Sequence, residues 1–534
     1  MKEIQVIKRD GQSESLNLDK IHVMVEHACN GLAGVSESQV EMNANLQFFD
    51  GIKTSDIQEI LIRSANDLIS LEAPNYQFVA ARLLLFSLRK AVYNGHPDGH
   101  PPLLEHVEKC VGRNIYDASI LKKYTEQEWE KLSSYMDHER DYLFTYAGAR
   151  QVVDKYLVQD RSTGRIFETP QFMYMMIAAT LFQDDDKFYR LEYVKKYYDA
   201  ISKHRINIPT PVMAGVRTPL RQFASCVLVD VDDTLDSIFS SDMAIGYYVA
   251  QRAGIGINAG RIRGINAKIR DGEVQHTGVI PFLKKFESTV RCCTQNGIRG
   301  GSATVHFPIW HQEIEDIIVL KNNKGTEDNR VRKLDYSIQI SKLFYERFIN
   351  NEEISLFSPH DVPGLYDAFG TDSFDDLYVR YESDKFTPRK TIGAQELIFS
   401  LLKERAETGR LYIMNIDHCN THSSFKDKIN MSNLCQEITL PTDPLQHIDG
   451  EGEIALCILS AINVGKINKL SDLEELTDLA VRGLEELIDY QNYPIKAAEV
   501  STKNRRSLGV GYIGLAHYLA KNGEHYDDPT AWKL

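Results

Sequence analysis

The sequence predicts an α/β protein with a small mixed module at its N-terminus, a helical region, and a larger core of alternating strands and helices. At the N-terminus, alternation around Asp10-Gly11 gives way to helical periodicity, as in a hairpin followed by helices. The stretch 104–205 has a mostly helical pattern. From 221 onward, β-favouring runs such as ASCVLVDV and ATVHFPI alternate with helical stretches such as ELIFSLLKERAETG.

Composition narrows the class of protein. The chain has 534 residues, of which 43% are hydrophobic and 25% charged, as in ordinary globular proteins. Its 61 Lys and Arg face 75 Asp and Glu, so the net charge of −14 would repel a polyanion and we expect no nucleic-acid partner. The sequence has no long apolar run and no apolar signal core, which predicts a cytoplasmic protein without membrane association.

The N-terminal module is predicted from three signals. A first helix over DKIHVMVEHACNGL follows the hairpin, a second is predicted over IQEILIRSANDLI, and a third is expected over about 75–93. Ser55 and Gln58 have the spacing of a capping box at the start of the helix IQEILIRSANDLI. The segment NGHPDGHPPL, at 94–103, is typical of a linker.

The eight cysteines are scattered and form no C-x-x-C, which argues against a secreted disulfide framework. Cys226 in ASCVLVDV and Cys457 in EIALCILSAINVG lie in apolar, strand-like settings, where a cysteine usually serves packing. Two such strands side by side could also place the sulfurs within disulfide reach, at about 4 to 7 Å between Cα atoms. The sequence alone leaves both roles open.

The segment MSNLCQEITLP places Asn433, Cys435 and Glu437 at every second position. In an extended backbone these side chains share one face, whereas on a helix positions i and i+2 diverge by about 200°. An amide, a thiol and a carboxylate could therefore converge on one small substrate. A structural strand that contains one cysteine is the alternative.

Two other cysteine-containing segments are expected to have no metal or redox role. His418, Cys419 and His422 form H-C-x-x-H, but a structural zinc site needs four ligands and no companion pair lies nearby, so we predict no bound metal. The adjacent Cys292 and Cys293 are interpreted as loop packing.

Many segments together resemble the large subunit of class I ribonucleotide reductase: RDGQSESLNLDKIH, FASCVLVDVDDTLDSI, QRAGIGINAGRIRG, CTQNGIRGGSATVHFPIWH, KNNKGTEDNRVRKLDY, LFSPHDVPGLYDAF, NIDHCNTHSSF, SNLCQEI and EIALCILSAIN. The resemblance extends over essentially the whole chain. It implies an ATP cone over 1–95, a helical region over 96–220, and the first part of a ten-stranded α/β barrel over 221–534.

The resemblance also implies a reaction, the reduction of ribonucleoside diphosphates to 2′-deoxyribonucleoside diphosphates. Cys435 matches the cysteine whose thiyl radical removes the 3′-hydrogen. Glu437 would accept the 3′-OH proton as a general base, and Asn433 would hold the sugar. Cys226 and Cys457 would supply two electrons and close to a disulfide, which an external dithiol must reopen.

Binding sites are implied in the same way. Gly254, Gly256 and Gly260 depart from the spacing of a dinucleotide fingerprint. The resemblance instead implies a substrate site of Thr210, Ser225, Cys226, Gly254, Asn433 and Glu437. It implies a specificity site for nucleoside triphosphates at Asp233, Arg263, Arg270, Gln295 and Arg299. It implies ATP-cone contacts at Lys8, Arg9, Glu14, Asn17, Lys20, Thr54 and Lys90. Gln58 stands where family members often have histidine, which puts control by ATP and dATP in question.

The resemblance implies no covalently bound cofactor. The expected ligands are ATP and deoxynucleotide effectors, and the radical would come from a metal-containing small subunit. Further expected partners are thioredoxin or glutaredoxin and a second copy of the chain. The family's later phosphate-binding loop, its paired tyrosines and its C-terminal cysteine pair have no counterpart in the sequence. We therefore expect an inactive chain until its C-terminal remainder is supplied, as a separate polypeptide of a split subunit or as the lost part of a truncated one.

Two alternatives remain open from the sequence. The first is a non-catalytic nucleotide-binding or assembly fragment, against which the joint presence of Asn433, Cys435, Glu437, Cys226 and Cys457 argues. The second is a glycyl-radical reductase of the related barrel class, which needs a C-terminal glycine motif that the sequence lacks.

Overall fold

The computed structural model describes residues 4–45, 47–93, 96, 99–294 and 300–534. The chain divides into two compact units. The first comprises Met1–Arg221, Ser460–Glu486 and Val510–Leu534, and the second comprises Gln222–Leu459 and Leu487–Gly509. Within the described ranges, no helix has both the length and the apolar character needed to cross a membrane.

The N-terminal module is a three-stranded sheet with four helices. The predicted hairpin forms, because β1 pairs antiparallel with β2 and Gly11 takes the positive φ of +85° that the turn requires. A third strand, β3, pairs with β1 in parallel. The elements are β1 (Gln5–Ile7), β2 (Ser13–Ser15), β3 (Ile52–Lys53), α1 (Leu18–Cys29), α2 (Glu37–Asn45), α3 (Thr54–Asp67) and α4 (Tyr76–Val92).

The capping box predicted at Ser55 and Gln58 is wrong. Helix α3 begins at Thr54, so Ser55 already lies inside the helix, and no side chain caps the helix N-terminus. The Gln58 side chain is used elsewhere: its Oε1 accepts hydrogen bonds from Arg9 at 2.9 Å and from Ser87 at 3.1 Å. Gln58 is therefore placed by contacts with distant parts of the module rather than by its own helix terminus.

The helical region follows, and the predicted linker at 94–103 falls partly outside the described residues. Helix α8 is buried along its whole length, which explains its apolar sequence PQFMYMMIAATL. The elements are α5 (Leu103–Val111), α6 (Glu126–Tyr135), α7 (Tyr146–Gln151), β4 (Gln159–Asp160), β5 (Arg165–Ile166), α8 (Pro170–Leu181), α9 (Arg190–Ser202), β6 (Ile206–Asn207) and α10 (Thr210–Gly215).

A fully buried ion pair between Glu168 and Arg217 stabilises this helical region. Arg217 Nε donates to Glu168 Oε2 at 2.8 Å, the Val158 backbone N–H donates to Oε1 at 2.7 Å, and the Tyr116 hydroxyl also donates to the carboxylate. Burial opposes ionisation, yet the Arg217 charge and these hydrogen bonds hold the pKa of Glu168 below its ordinary value. The carboxylate is therefore ionised and fully bonded inside the protein.

The second unit is built on an open sheet whose strand order is β15-β12-β11-β8-β7-β16-β17, as expected for an incomplete α/β barrel. Strands β15 to β7 in this order are all parallel, whereas β16 is antiparallel to β7. The strands are β7 (Cys226–Asp230), β8 (Gly254–Asn258), β9 (Lys268–Ile269), β10 (Val274–Gln275), β11 (Ala303–Pro308), β12 (Asp335–Ile340), β13 (Glu353–Leu356), β14 (Lys390–Gly393), β15 (Leu411–Asn415), β16 (Ala455–Asn463) and β17 (Leu508–Ile513).

Every residue of β7, β8 and β11 is buried. This explains why these strands are near-continuous apolar runs, as is typical of parallel sheets covered on both faces. The helices that follow residue 221 in the chain are α11 (Leu235–Ala250), α12 (Ile280–Cys292), α13 (Ile314–Ile318), α14 (Lys342–Asn350), α15 (Leu365–Ala368), α16 (Phe374–Ser383), α17 (Ala394–Thr408), α18 (Ile416–Thr421), α19 (Asp472–Tyr490), α20 (Lys496–Arg505) and α21 (Leu515–Lys521).

We predict that Glu168→Gln destabilises the chain strongly, because it leaves the buried Arg217 charge without its counter-ion. Breaking a buried ion pair on one side costs about 3–5 kcal/mol in the free energy of unfolding, which chemical denaturation measures. The control is Lys195→Gln, which breaks an exposed pair with Asp199 and should cost about 1 kcal/mol or less. Equal losses in the two variants would contradict the prediction.

Candidate functional site

The candidate active site begins with two cysteines on neighbouring strands. Antiparallel pairing of β7 with β16 places Cys226 directly opposite Cys457. Opposite residues in an antiparallel pair have Cα atoms about 4.5–5.5 Å apart, within the range of a disulfide. The adjacency predicted from the sequence is confirmed. Both thiols lie in an apolar cluster with Leu228, Met431 and Leu440.

The surroundings of the two thiols are apolar on one side and polar on the other. Burial raises the pKa of Cys457 well above that of an ordinary thiol, so this sulfur carries its proton at neutral pH. The Ser225 hydroxyl lies 3.6 Å from Cys226 Sγ, and the Gly254 N–H donates to the Ser225 carbonyl at 2.9 Å. Two of the predicted substrate-site residues thus lie beside Cys226.

The segment MSNLCQEITLP is a loop with a tight turn, and the predicted extended strand is wrong. Gln436 has a positive φ of +62°, and its N–H donates to the Asn433 carbonyl at 3.3 Å. The turn exposes Cys435. It still brings the other two predicted residues to one thiol: Asn433 Nδ2 lies 3.2 Å and Glu437 Oε1 lies 3.7 Å from Cys226 Sγ.

Two side chains and one backbone carbonyl, from three strands, hold this turn. The Thr304 hydroxyl on β11 donates to the Leu434 carbonyl at 2.6 Å, and the Ser337 hydroxyl on β12 donates to Gln436 Oε1 at 2.6 Å. Gln436 Nε2 in turn donates to the Ile413 carbonyl on β15 at 2.7 Å. Thr304 and Ser337 were not predicted as site residues, because a hydroxyl inside an apolar strand carries no local signal of its partner.

Gly256 was also missed as a site residue, although a signal for it existed. A Cβ at this position would lie 2.1 Å from the Ser432 carbonyl oxygen and 2.9 Å from the Asn433 Cα. A glycine inside a strand often marks the close approach of another backbone. The G-x-G segment of β8 therefore lets the active-site loop pass directly over the sheet.

The predicted specificity residues are brought together in part. Asp233 accepts from the Arg263 backbone N–H at 2.9 Å and from its Nε at 2.7 Å, and Arg263 also donates to the Lys268 carbonyl. Burial raises the pKa of Asp233 against the opposing effect of Arg263. This pair is a built, charged feature at the end of β7.

The other predicted binding residues are placed differently. Arg270 is exposed and pairs with Glu273 at 3.1 Å. Thr210 begins α10 in the first compact unit, where its hydroxyl lies 3.4 Å from the Tyr156 hydroxyl. Gln295 and Arg299 lie outside the described residues.

The ATP-cone prediction converges on one cavity of ≈ 520 Å³ in the N-terminal module. The cavity is lined by every residue that was predicted there, namely Lys8, Arg9, Glu14, Asn17, Lys20, Thr54 and Lys90. Lys8 and Lys20 each lie 3.3 Å from Glu14 and lower the pKa of this carboxyl. Four cations line the cavity against two carboxylates, those of Asp10 and Glu14, and this excess of positive charge suits a triphosphate.

The segment with His418, Cys419 and His422 lines a second cavity of ≈ 460 Å³ beside the active-site loop. Among the residues that the structure describes, no cluster of three or more His, Cys, Asp or Glu could hold a metal ion. Cys292 and Cys293 end α12 with their sulfurs 3.7 Å apart.

Comparisons with known proteins agree with this geometry. Residues 224–534 match the family model of the ribonucleotide reductase barrel domain, residues 142–221 the all-alpha domain, and residues 4–91 the ATP cone domain. The chain belongs to the ribonucleotide reductase large-subunit family. It is 55% identical to the ribonucleoside-diphosphate reductase subunit alpha of Haemophilus influenzae, over 99% of this chain and 71% of that relative.

Other members of the ribonucleotide reductase family are similarly related. Identity is 53% to the ribonucleoside-diphosphate reductase 1 subunit alpha of Escherichia coli K12 and 45% to the ribonucleoside-diphosphate reductase subunit alpha of Enterobacteria phage T4. Each match covers 99% of this chain and 70% of the relative. The match to the ATP cone supports nucleotide binding in the N-terminal cavity.

We predict that Gly256→Ala disrupts the active-site loop, because its methyl group would overlap the Ser432 carbonyl. Overpacking of this kind costs about 1–3 kcal/mol in the free energy of unfolding, as measured by chemical denaturation. Gly393→Ala is the matched control, since its Cβ would meet only Glu396 Cβ at 3.8 Å. The prediction fails if the two variants lose the same stability.

A second prediction concerns the cone cavity, for which Lys20→Met should weaken ATP binding. Loss of one charge-assisted phosphate contact costs about 1.5–3 kcal/mol, or roughly a 10- to 100-fold rise in Kd. Titration calorimetry of ATP with the parent and the variant would measure this change in Kd. Lys53→Met removes a nearby cation that does not line the cavity and should leave the Kd within twofold. An unchanged Kd in Lys20→Met contradicts the assignment.

Proposed function

We propose that this chain carries the nucleotide-reducing centre of a ribonucleoside-diphosphate reductase that works through a thiyl radical on Cys435. The convergence of Asn433 and Glu437 on Cys226, opposite Cys457, is the observation that supports it most strongly. A packing cysteine needs no amide and carboxylate beside it. A redox dithiol that faces a sugar hydroxyl needs both.

The reaction follows from these groups. The Cys435 radical takes the 3′-hydrogen atom of the ribose, forming S–H, while Glu437 accepts the 3′-OH proton. Cys226 protonates the 2′-OH, which leaves as water. Cys457 then supplies the hydrogen that forms the new C2′–H bond, and two electrons pass to the sugar as the S–S bond forms between Cys226 and Cys457. Glu437 returns its proton to the 3′ oxygen, and Cys435 returns its hydrogen atom to C3′. The sum converts one ribonucleotide and one dithiol to one deoxyribonucleotide, one disulfide and water.

The raised pKa of Cys457 fits this sequence of steps, because a protonated thiol can supply a proton together with its electron. Asn433 is fully buried, and its Oδ1 accepts from the Ile438 N–H at 3.1 Å, which orients its Nδ2 toward Cys226. The amide is therefore fixed before substrate arrives, as catalysis by positioning requires.

We further propose three kinds of partner. A metal-containing small subunit would supply the radical to Cys435, and thioredoxin or glutaredoxin would reopen the disulfide. Because Cys435 and Glu437 are exposed here, additional polypeptide, on this or another chain, would have to cover them and exclude water during the radical steps. ATP and deoxynucleotides would act as effectors at the cone cavity and at the Asp233–Arg263 pair.

The test is a single-turnover assay of the chain assembled with the small subunit and with the remaining family segment in trans, without external dithiol. We expect one deoxynucleoside diphosphate per active site and a disulfide between Cys226 and Cys457, detected by mass spectrometry. Cys435→Ser should give neither, because a serine oxygen cannot readily hold the radical.

Cys419→Ser is the matched control and should give the full yield, because Cys419 lies outside the proposed centre. Product formation by Cys435→Ser, or oxidation of a different pair of cysteines during turnover, would refute the mechanism. A chain that binds nucleotides but makes no product in any assembly would favour the non-catalytic assembly function, which the cone cavity alone would support.

A further inference from the structure

Three alternate residues on one face of β7 each contact the active-site loop. Cys226, Leu228 and Asp230 alternate along the strand, so their side chains lie on the same face. The outer two contact the loop through polar groups and the middle one through apolar packing. We call this face the β7 ladder.

At the last residue of β7, the β7 ladder contacts the loop through the buried carboxylate of Asp230. Asp230 Oδ2 accepts from Asn430 Nδ2 at 3.2 Å and from the Thr442 hydroxyl at 3.3 Å. Its Oδ1 accepts from Asn258 Nδ2 on β8 at 2.7 Å. All four side chains are buried. Asn430 precedes the active-site loop and Thr442 follows it, so the Asp230 side chain joins both ends of the loop.

The middle and upper contacts continue in the same order. Leu228 shares an apolar cluster with Met431, one residue after Asn430, and with Leu440, two residues before Thr442. At the first residue of β7, the Cys226 sulfur contacts the side chains of Asn433 and Glu437. Each step along β7 thus pairs with one residue from the arm before the turn and one from the arm after it.

We propose that Asp230 is a positioning residue for the reductase reaction, which sets the register of the catalytic loop against the strand that carries Cys226. This inference rests on the proposed function for its catalytic consequence, but the tether itself is a property of the fold. Without the carboxylate, three buried donors lose their acceptor and Arg261, whose Nε lies 3.8 Å from Asp230 Oδ1, loses a counter-ion. The two arms of the loop are then free to separate at their base.

The surrounding contacts make the tether specific to the loop. Asn258 is held in turn by the Tyr366 hydroxyl, which donates to its Oδ1 at 2.8 Å. Gln339 Nε2 donates to the Asn430 carbonyl at 2.5 Å. Tyr366 lies on α15 and holds Asn258, whereas Gln339 lies on β12 and holds the backbone of Asn430. Among the residues that the structure describes, only the Asp230 side chain bonds to both Asn430 and Thr442.

The first experiment is hydrogen exchange on the full chain, followed over the peptides that span 430–442. In Asp230→Ala we expect the amides of Gln436 and Ile438 to exchange at least tenfold faster, while the β7 and β16 amides keep their protection. Asp443→Ala, the matched control, removes an exposed carboxylate next to Thr442 and should change none of these rates. Unchanged loop exchange in Asp230→Ala, or equal acceleration in β7, overturns the proposal.

Two milder variants guard against a failure to fold. Thr442→Val removes one of the two loop bonds without changing shape and should accelerate loop exchange to an intermediate degree. Asp230→Asn keeps one oxygen for Asn430 and Thr442, but it turns an NH2 group toward Asn258 Nδ2 and removes the charge opposite Arg261. Its loop exchange should therefore lie between that of the parent and that of Asp230→Ala. Asp230→Asn behaving like Asp230→Ala, or Thr442→Val like the parent, would count against the tether.

The second experiment measures turnover in the assembled reductase. Asp230→Ala should lower kcat at least tenfold, with partial rescue by Asp230→Asn, while diamide still links Cys226 to Cys457 at the parent rate. Full kcat in Asp230→Ala overturns the positioning role. If the parent assembly makes no deoxynucleotide, the proposed function fails, and the exchange measurement still decides whether Asp230 tethers the loop.

Discussion

The antiparallel pairing of β16 with β7 is the constraint on which the candidate active site depends. The neighbouring strands on the other side of β7 are parallel, and a parallel ladder offsets its side chains rather than setting two residues face to face. Reversing one strand places Cys226 opposite Cys457 at the separation that a disulfide spans. The same pairing buries both thiols, and this burial raises the pKa of Cys457, which therefore keeps its proton at neutral pH.

The catalytic loop is a second consequence of the sheet. A backbone that lies directly on a strand needs a glycine beneath it and hydrogen-bond partners for its own polar groups. Gly256 provides the first, and Thr304 and Ser337 provide the second. These small polar residues interrupt apolar strands, and their cost in burial is offset because each one bonds to the loop.

The N-terminal module has a positively lined cavity suited to a polyanion, although the whole chain has a net charge of −14. It concentrates four cations around this cavity, where Glu14 keeps two of the lysines in place when no ligand is present. Gln58 bonds to one of these cations, Arg9, and so belongs to the cavity wall. Local charge, rather than net charge, determines what this module can bind.

The sequence by itself determined the local elements and the residue types of each site. The hairpin, the helices, the buried strands and the cavity residues all follow from periodicity, turn chemistry and the family motifs. Only the tertiary structure decided how the loop after Met431 folds, because the positive φ of Gln436 is stabilised by residues about 100 or more positions away, such as Ser337 and Thr304. For the same reason Gln58 was misassigned: its spacing fits a local cap, but its bonds to Arg9 and Ser87 depend on the packing of distant segments, which no local pattern encodes.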